Sequence, residues 1–220
     1  MKKEFEKRIL SSFVIIPIAL FFVIKGSVFF LFFLGVFFLS TAYEWLKMCK
    51  NNSIKFVGIL FLLLSFYSAY LLRIEFGLNS FLFVIIICIF TDLGGYLFGK
   101  TFKGPKLIKI SPNKTYAGMI GSFILSMIAV LILSEYNNYI SSYDYYFYNF
   151  KENDSSYILV ILLISAISQI GDLIISYYKR SAKIKDTGKL LPGHGGLLDR
   201  VDGIIFAIPI SYILFNHLIQ

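Results

Sequence analysis

Charge is scarce in this chain. Only 15% of its 220 residues are Asp, Glu, Lys or Arg, where soluble domains hold about 25%. Together with long apolar runs and 57% hydrophobic residues, this excludes an ordinary soluble domain and points to a polytopic membrane protein. Cysteine is equally sparse. Cys49 flanks a polar loop and Cys88 sits in an apolar run, a count and setting that suit neither a disulfide framework nor a metal knuckle. No small-x-small cleavage site closes the apolar stretch after MKKEFEKR, and hydrophobicity resumes after Lys25-Gly26, so this segment reads as a retained span and not a signal peptide. No internal repeat occurs at a fixed period. The length suits a single membrane domain, 1–220, without a separate soluble domain.

What is present is a set of apolar runs that predict seven helical spans, roughly 9–24, 27–46, 54–72, 78–99, 115–134, 157–178 and 203–219. A span takes about 20 residues, and lipid offers no partner to bare backbone, so the fold class expected is an all-α membrane protein. With a cytoplasmic N-terminus, the inside segments are 1–8, 47–55, 100–114 and 179–200. They hold four, three, five and six lysines or arginines, 18 of the chain's 21, leaving Lys25, Arg73 and Lys151 outside. That asymmetry is the positive-inside pattern. The outer loop 135–156, dense in Tyr and Asn, reads as an interfacial cover without chemistry.

Acidic residues break the apolar runs. Asp92 lies eight residues before Lys100 in the fourth span, and Asp172 seven before Lys179 in the sixth. At 1.5 Å per residue each sits roughly 10–12 Å below the cytoplasmic end of its helix. Asp199 and Asp202 open the seventh span from the same side. Ionisable groups at such depth are functional candidates by default; the bland alternative is a structural pair, each carboxylate answered by a Lys or Arg. Gln169, Asp172, Ser176 and Lys179 or Arg180 recur at three- and four-residue spacing and form one stripe of one helix, as a site wall would.

Glycines cluster at this level: Gly94, Gly95, Gly99, Gly171, Gly188, Gly193, Gly195, Gly196 and Gly203. They serve either helix packing or close approach of backbone to a ligand. In the run Pro192-Gly193-His194-Gly195-Gly196, just before a helix, free N–H groups can meet an anion; His194 is either a turn residue or faces that ligand. Carboxylates at the mouth of a bundle suit a hard divalent cation such as Mg²⁺, which bridges one or two carboxylates to substrate phosphates. A Lys and Arg shell suits phosphate oxygens, and two metals can share an in-line displacement at phosphorus. The residues alone therefore predict a metal-assisted site for a phosphorylated ligand facing the cytoplasm.

Residues 176–202 run Ser-x-x-Lys-Arg, four residues, Lys-Asp-x-Gly, three residues, Pro-Gly-His-Gly-Gly, two residues, Asp-Arg-x-Asp. This pattern resembles the C-terminal signature of the phosphatidate cytidylyltransferases, or CDP-diacylglycerol synthases, at fourteen positions. Gln169-x-Gly171-Asp172-Leu173, Asp92 with its glycines, and the loop Ser111-Pro112-Asn113-Lys114-Thr115 are also similar, so residues 91–203 carry the motifs. The resemblance implies an integral membrane enzyme of the bacterial cytoplasmic (inner) membrane making CDP-diacylglycerol and pyrophosphate from CTP and phosphatidic acid. It implies Asp172 and Asp199 as ligands of Mg²⁺, with a second metal ion left open. Asp92 and Asp202 would stand nearby, and Lys179, Arg180, Lys185 and Arg200 would receive phosphates. Asp186 and His194 complete the catalytic set; Ser111, Lys114, Thr115, Ser176, Gly193, Gly195 and Gly196 join Asp92 in binding substrate. The partners implied are CTP, phosphatidic acid and membrane lipid, with a homodimer left open and no nucleic acid. Three positions depart from the family: Ile175 and Ala117 replace usual glutamates, and Gly203 a usual serine. The alternatives are another CTP-dependent lipid enzyme, such as a polyprenol kinase or an archaeol-type cytidylyltransferase, and a cation or lipid-phosphate transporter.

Overall fold

The computed structural model describes residues 13, 17–108, 111–140, 155–188, 190 and 195–219. Residues 17–25 are helical. After them come α1 (Ser27–Met48), α2 (Asn52–Glu75), α3 (Gly77–Phe102), β1 (Lys106–Ile108), β2 (Ser111–Thr115), α4 (Tyr116–Ile140), α5 (Ser155–Ser181), the short α6 (Leu198–Val201) and α7 (Ile204–Ile219). Among the described residues, five helices are long and apolar enough to cross a membrane: α1, α2, α3, Tyr116–Leu133 of α4, and Tyr157–Ser181 of α5. They coincide with the second to sixth expected spans. The expected last span coincides with α7, of 16 residues with Pro209 inside it; of the first, 9–24, residues 13 and 17–24 are described and are helical.

The helical membrane class expected holds, and two local expectations need correction. Part of the segment expected as a loop around Ser111–Thr115 is a strand, paired antiparallel with β1 through Lys106↔Thr115 and Ile108↔Ser111. The reason is local. Lys103 and Gly104 take positive φ and end α3, and the chain must return to α4 within a few residues. Extended backbone there satisfies its own N–H and C=O groups by pairing, and the Tyr116 N–H closes the hairpin on the Pro105 carbonyl at 3.2 Å. The second correction concerns the start of the outer loop: α4 continues through Ile140. The rest of that loop, 141–154, lies outside the described residues.

One apolar cluster joins α1, α2, α3, α5 and α7 around Phe30, Leu72, Val84, Ile87, Val160 and Ile164. A second, around Trp45, Leu62, Ile175 and Leu198, lies under the polar segment after α5. The helix pair α3 and α4 packs backbone against backbone. A Cβ on Gly94 would collide with the Gly121 carbonyl, so glycine sets this approach. The Ser122 hydroxyl donates to the Thr91 carbonyl at 2.7 Å and the Thr91 hydroxyl to Ser165 Oγ at 2.8 Å. These bonds hold α3, α4 and α5 in register beneath the hairpin.

Candidate active site

The hairpin, α3, α4 and α5 enclose a cavity of about 300 Å³ lined by Asp92, Ser111, Lys114, Thr115, Gln169 and Asp172, among others. Each reaches it for a local reason. Asp92 and Asp172 project from apolar helices about two turns from their polar ends. Lys114 is carried in by β2. Thr115 caps the start of α4, its Oγ1 accepting from the Gly118 N–H at 3.1 Å. Lys114 Nζ pairs with Asp172 Oδ2, both side chains 27% exposed, and the Ser176 hydroxyl, one turn on, donates to Asp172 Oδ1 at 3.2 Å. The Gln169 amide nitrogen is buried without a hydrogen-bond partner among the described residues. Buried donors are nearly always paired, so an unpaired one beside a cavity marks a place for an acceptor on a ligand.

A second polar cluster adjoins the first. Lys179 Nζ donates to Asp199 Oδ1 at 2.9 Å. Asp199 Oδ2 accepts from the Thr187 N–H at 2.8 Å, the Gly196 N–H at 3.0 Å and the Thr187 hydroxyl at 3.1 Å. Burial would raise the Asp199 pKa, but Lys179 and these N–H groups outweigh it and hold the carboxyl below the usual range. Hydrogen bonds to the charged form act in that direction. Asp202, buried at the turn before α7, behaves oppositely. Burial and then the charge of Asp172 push it well above the usual range, with Lys179 opposing and Asp92 adding to the rise. Asp202 thus stands within electrostatic reach of both clusters.

The expected site residues therefore fall into two adjoining groups. Asp92, Ser111, Lys114, Thr115 and Asp172 share the cavity, with Ser176 on Asp172. Lys179, Asp199, Gly195 and Gly196 share the second cluster, with Asp186 against Gly195. Arg180, Lys185 and Arg200 are exposed, Arg180 donating to the Ile184 carbonyl at 3.5 Å. Gly193 and His194 lie outside the described residues. Asp172 and Asp199 each meet a lysine, the pairing foreseen as the bland alternative. Among the described residues, no three His, Cys, Asp or Glu side chains form a group able to hold a metal ion. Two carboxylates still suit Mg²⁺, which needs one or two together with waters and phosphates.

Of the three departures, two acquire a physical reason. A Cβ at Gly203 would collide with Ser168 Oγ, so the serine on α5 leaves room only for glycine. Ile175 does not face Asp172's cavity; it is 2% exposed and packs with Ala42, Trp45 and Leu198. Nothing in the structure explains Ala117. Two residues were missed at the sequence level. Thr187 bridges carboxylates, and Glu44, 3% exposed on α1, accepts from the Leu197 N–H at 2.9 Å, the Leu198 N–H at 2.8 Å and the Thr187 hydroxyl at 2.8 Å. The available signal was an unanswered acid inside the apolar run 27–46.

Comparison with known proteins places the chain in a family. Residues 57–218 match the model of the cytidylyltransferase family. Proteins named phosphatidate cytidylyltransferase are similar: one from Staphylococcus aureus (strain COL) is 40% identical over 163 residues, and one from Staphylococcus haemolyticus (strain JCSC1435) is 37% identical over 163 residues. In both cases the match covers 74% of this chain and 56% of the relative, so the chain spans little more than half the length of these relatives. The matched region holds both polar clusters except Glu44, and by that match the chain belongs to the cytidylyltransferase family.

Proposed function

We propose that this protein is a nucleotidyltransferase that joins CTP and phosphatidic acid to give CDP-diacylglycerol and pyrophosphate. The observation that carries the reading is the cavity walled by Asp92, Lys114 and Asp172 beside the Lys179–Asp199 pair. Carboxylates and lysines alternate there at the ends of apolar helices, as two phosphorylated substrates and a divalent cation require. Family membership and the names of the relatives support the same chemistry.

The phosphate monoester of phosphatidic acid is already anionic at neutral pH, so a dedicated general base is not needed. The task is to bring two anions together and to stabilise charge on the departing pyrophosphate, which is the work of positioning and electrostatics. Lys114 and Lys179 sit where they can take phosphate oxygens, and the exposed Arg180, Lys185 and Arg200 extend that basic surface. Asp172 and Asp199 are the proposed ligands of Mg²⁺, with Asp92 and Asp202 close by and a second metal ion left open. Bound there, the metal would neutralise phosphate charge. The seven-span topology in a bacterial inner membrane, with this site facing the cytoplasm, rests on the distribution of 18 basic residues against 3. The reading needs one copy of the chain and leaves a homodimer open.

The test is direct. Purified protein in detergent is given Mg²⁺, phosphatidic acid and CTP labelled in the cytidine moiety. The expected products are pyrophosphate and a labelled lipid. Phosphorylation of a lipid without cytidine transfer would show a kinase, and absence of both products would refute the reading.

A further inference from the structure

We propose that Glu44 is a positioning residue that fixes the segment carrying Asp199 from a helix remote in sequence. It lies on α1, outside the matched residues 57–218. Its two oxygens take the backbone N–H groups of Leu197 and Leu198, just ahead of and at the start of α6, together with the Thr187 hydroxyl. Thr187 and Gly196 in turn deliver their N–H groups to Asp199 Oδ2. One buried carboxylate therefore sets the backbone that cradles another.

The fit around Glu44 is steric as well as polar. A Cβ on Gly188 or on Gly196 would collide with its carboxylate, so two glycines of the signature segment are shaped to it. Beneath, Trp45 donates to the Ile54 carbonyl at 3.3 Å and stacks edge-on against Tyr178 with centroids 4.9 Å apart, which anchors the Glu44 turn of α1 to α2 and α5. The Thr187 hydroxyl has one hydrogen and two carboxylate oxygens within reach, 2.8 Å at Glu44 and 3.1 Å at Asp199. It can donate to one at a time. Glu44 thereby competes for a donor that would otherwise belong to Asp199, and it governs how much of the Asp199 carboxylate is left for a cation or for Lys179.

This inference rests on the proposed reaction for its kinetic consequence but not for its structural one, and the experiment separates the two. The protein is purified in detergent, and backbone hydrogen exchange is followed in wild type, Glu44→Gln, Thr187→Val and Thr187→Ser. Glutamine keeps one acceptor and turns the other into a donor, so at least one of the Leu197 and Leu198 N–H groups loses its partner. The expected result is exchange about tenfold faster at 187 and 196–198, the factor set by losing one hydrogen bond to a charged group, with the apolar helices unchanged. Thr187→Val should loosen 196–198 less, and Thr187→Ser should restore wild-type protection. With CTP and phosphatidic acid, Glu44→Gln should shift the Mg²⁺ concentration for half-maximal rate, which a loss of folded protein alone would not move. Unchanged exchange at 187 and 196–198 in Glu44→Gln overturns the proposal. So does an unchanged Mg²⁺ midpoint in an active enzyme. If Glu44→Gln does not fold, Thr187→Val against Thr187→Ser decides, and equal protection in those two overturns it. A wild type without transferase activity but with the expected exchange pattern refutes the reaction and leaves the positioning role standing.

Discussion

Lys114 on the hairpin and Asp172 on α5 form an ion pair across the mouth of the cavity, with both side chains 27% exposed. The pair joins the one β element of the described fold to the helix that also carries Gln169, Ser176 and Lys179. Both side chains are partly open to the cavity, so a ligand can compete for either. Asp172→Asn should reduce transferase turnover by at least about 10², the scale for losing one electrostatic stabiliser, while the protein stays folded in detergent. Near-normal turnover would remove Asp172 from the metal site.

Asp199→Asn should behave differently. Its carboxylate accepts from Lys179 on α5 and from the Thr187 and Gly196 N–H groups, with the Thr187 hydroxyl shared with Glu44, and in either orientation an amide nitrogen would face a donor where an oxygen now receives one. Leaving buried donors unpaired costs about 1–3 kcal/mol. Loss of activity should therefore come with a lowered thermal midpoint, measured by unfolding in detergent. An unchanged midpoint would contradict the hydrogen-bond set around Asp199.

Gln169→Leu should separate stability from function. The amide nitrogen of Gln169 is buried beside the cavity without a partner among the described residues, and replacing an unsatisfied polar group by an apolar one is near neutral or stabilising. The variant should melt at or above wild type yet show a raised KM for CTP. A wild-type KM would mean that the amide meets no substrate atom.

Ile175→Glu, which would put back the acid usual in the family, should be poorly tolerated. A single-helix view sets position 175 about 60° from Asp172 and within reach of its pocket, but the bundle turns the side chain into the cluster of Ala42, Trp45 and Leu198. An unpaired carboxylate there costs several kcal/mol, so yield and thermal midpoint should both fall. A stable variant with altered Mg²⁺ dependence would show that the side chain reaches the site after all.

The orientation can be read by cysteine labelling at Lys185, which is exposed, rather than at Thr187, which is 5% exposed. The native thiols Cys49 and Cys88 are both buried, and burial raises Cys49 above its ordinary value, so background should be low. A probe at 185 should react from inside only. Reaction in sealed right-side-out vesicles would overturn the cytoplasmic site.

The sequence by itself determined the class of the fold and the place of its central helices, because apolar runs interrupted by charge are local signals. The expected spans 27–46, 54–72, 78–99 and 157–178 recur as α1, α2, α3 and α5 with shifts of a few residues. The polar stripe of Gln169, Asp172, Ser176 and Lys179 was also legible, since a helix repeats every 3.6 residues whatever it packs against. Tertiary structure decided the rest. Which lysine answers which carboxylate depends on the meeting of the hairpin, α5 and α6, and Glu44 touches residues more than 140 positions away. Nothing in the immediate neighbourhood of Glu44 specifies those partners. They follow from the packing that brings the Trp45 turn of α1 against α5, and the same packing takes Ile175 out of the site and brings Thr187 into it.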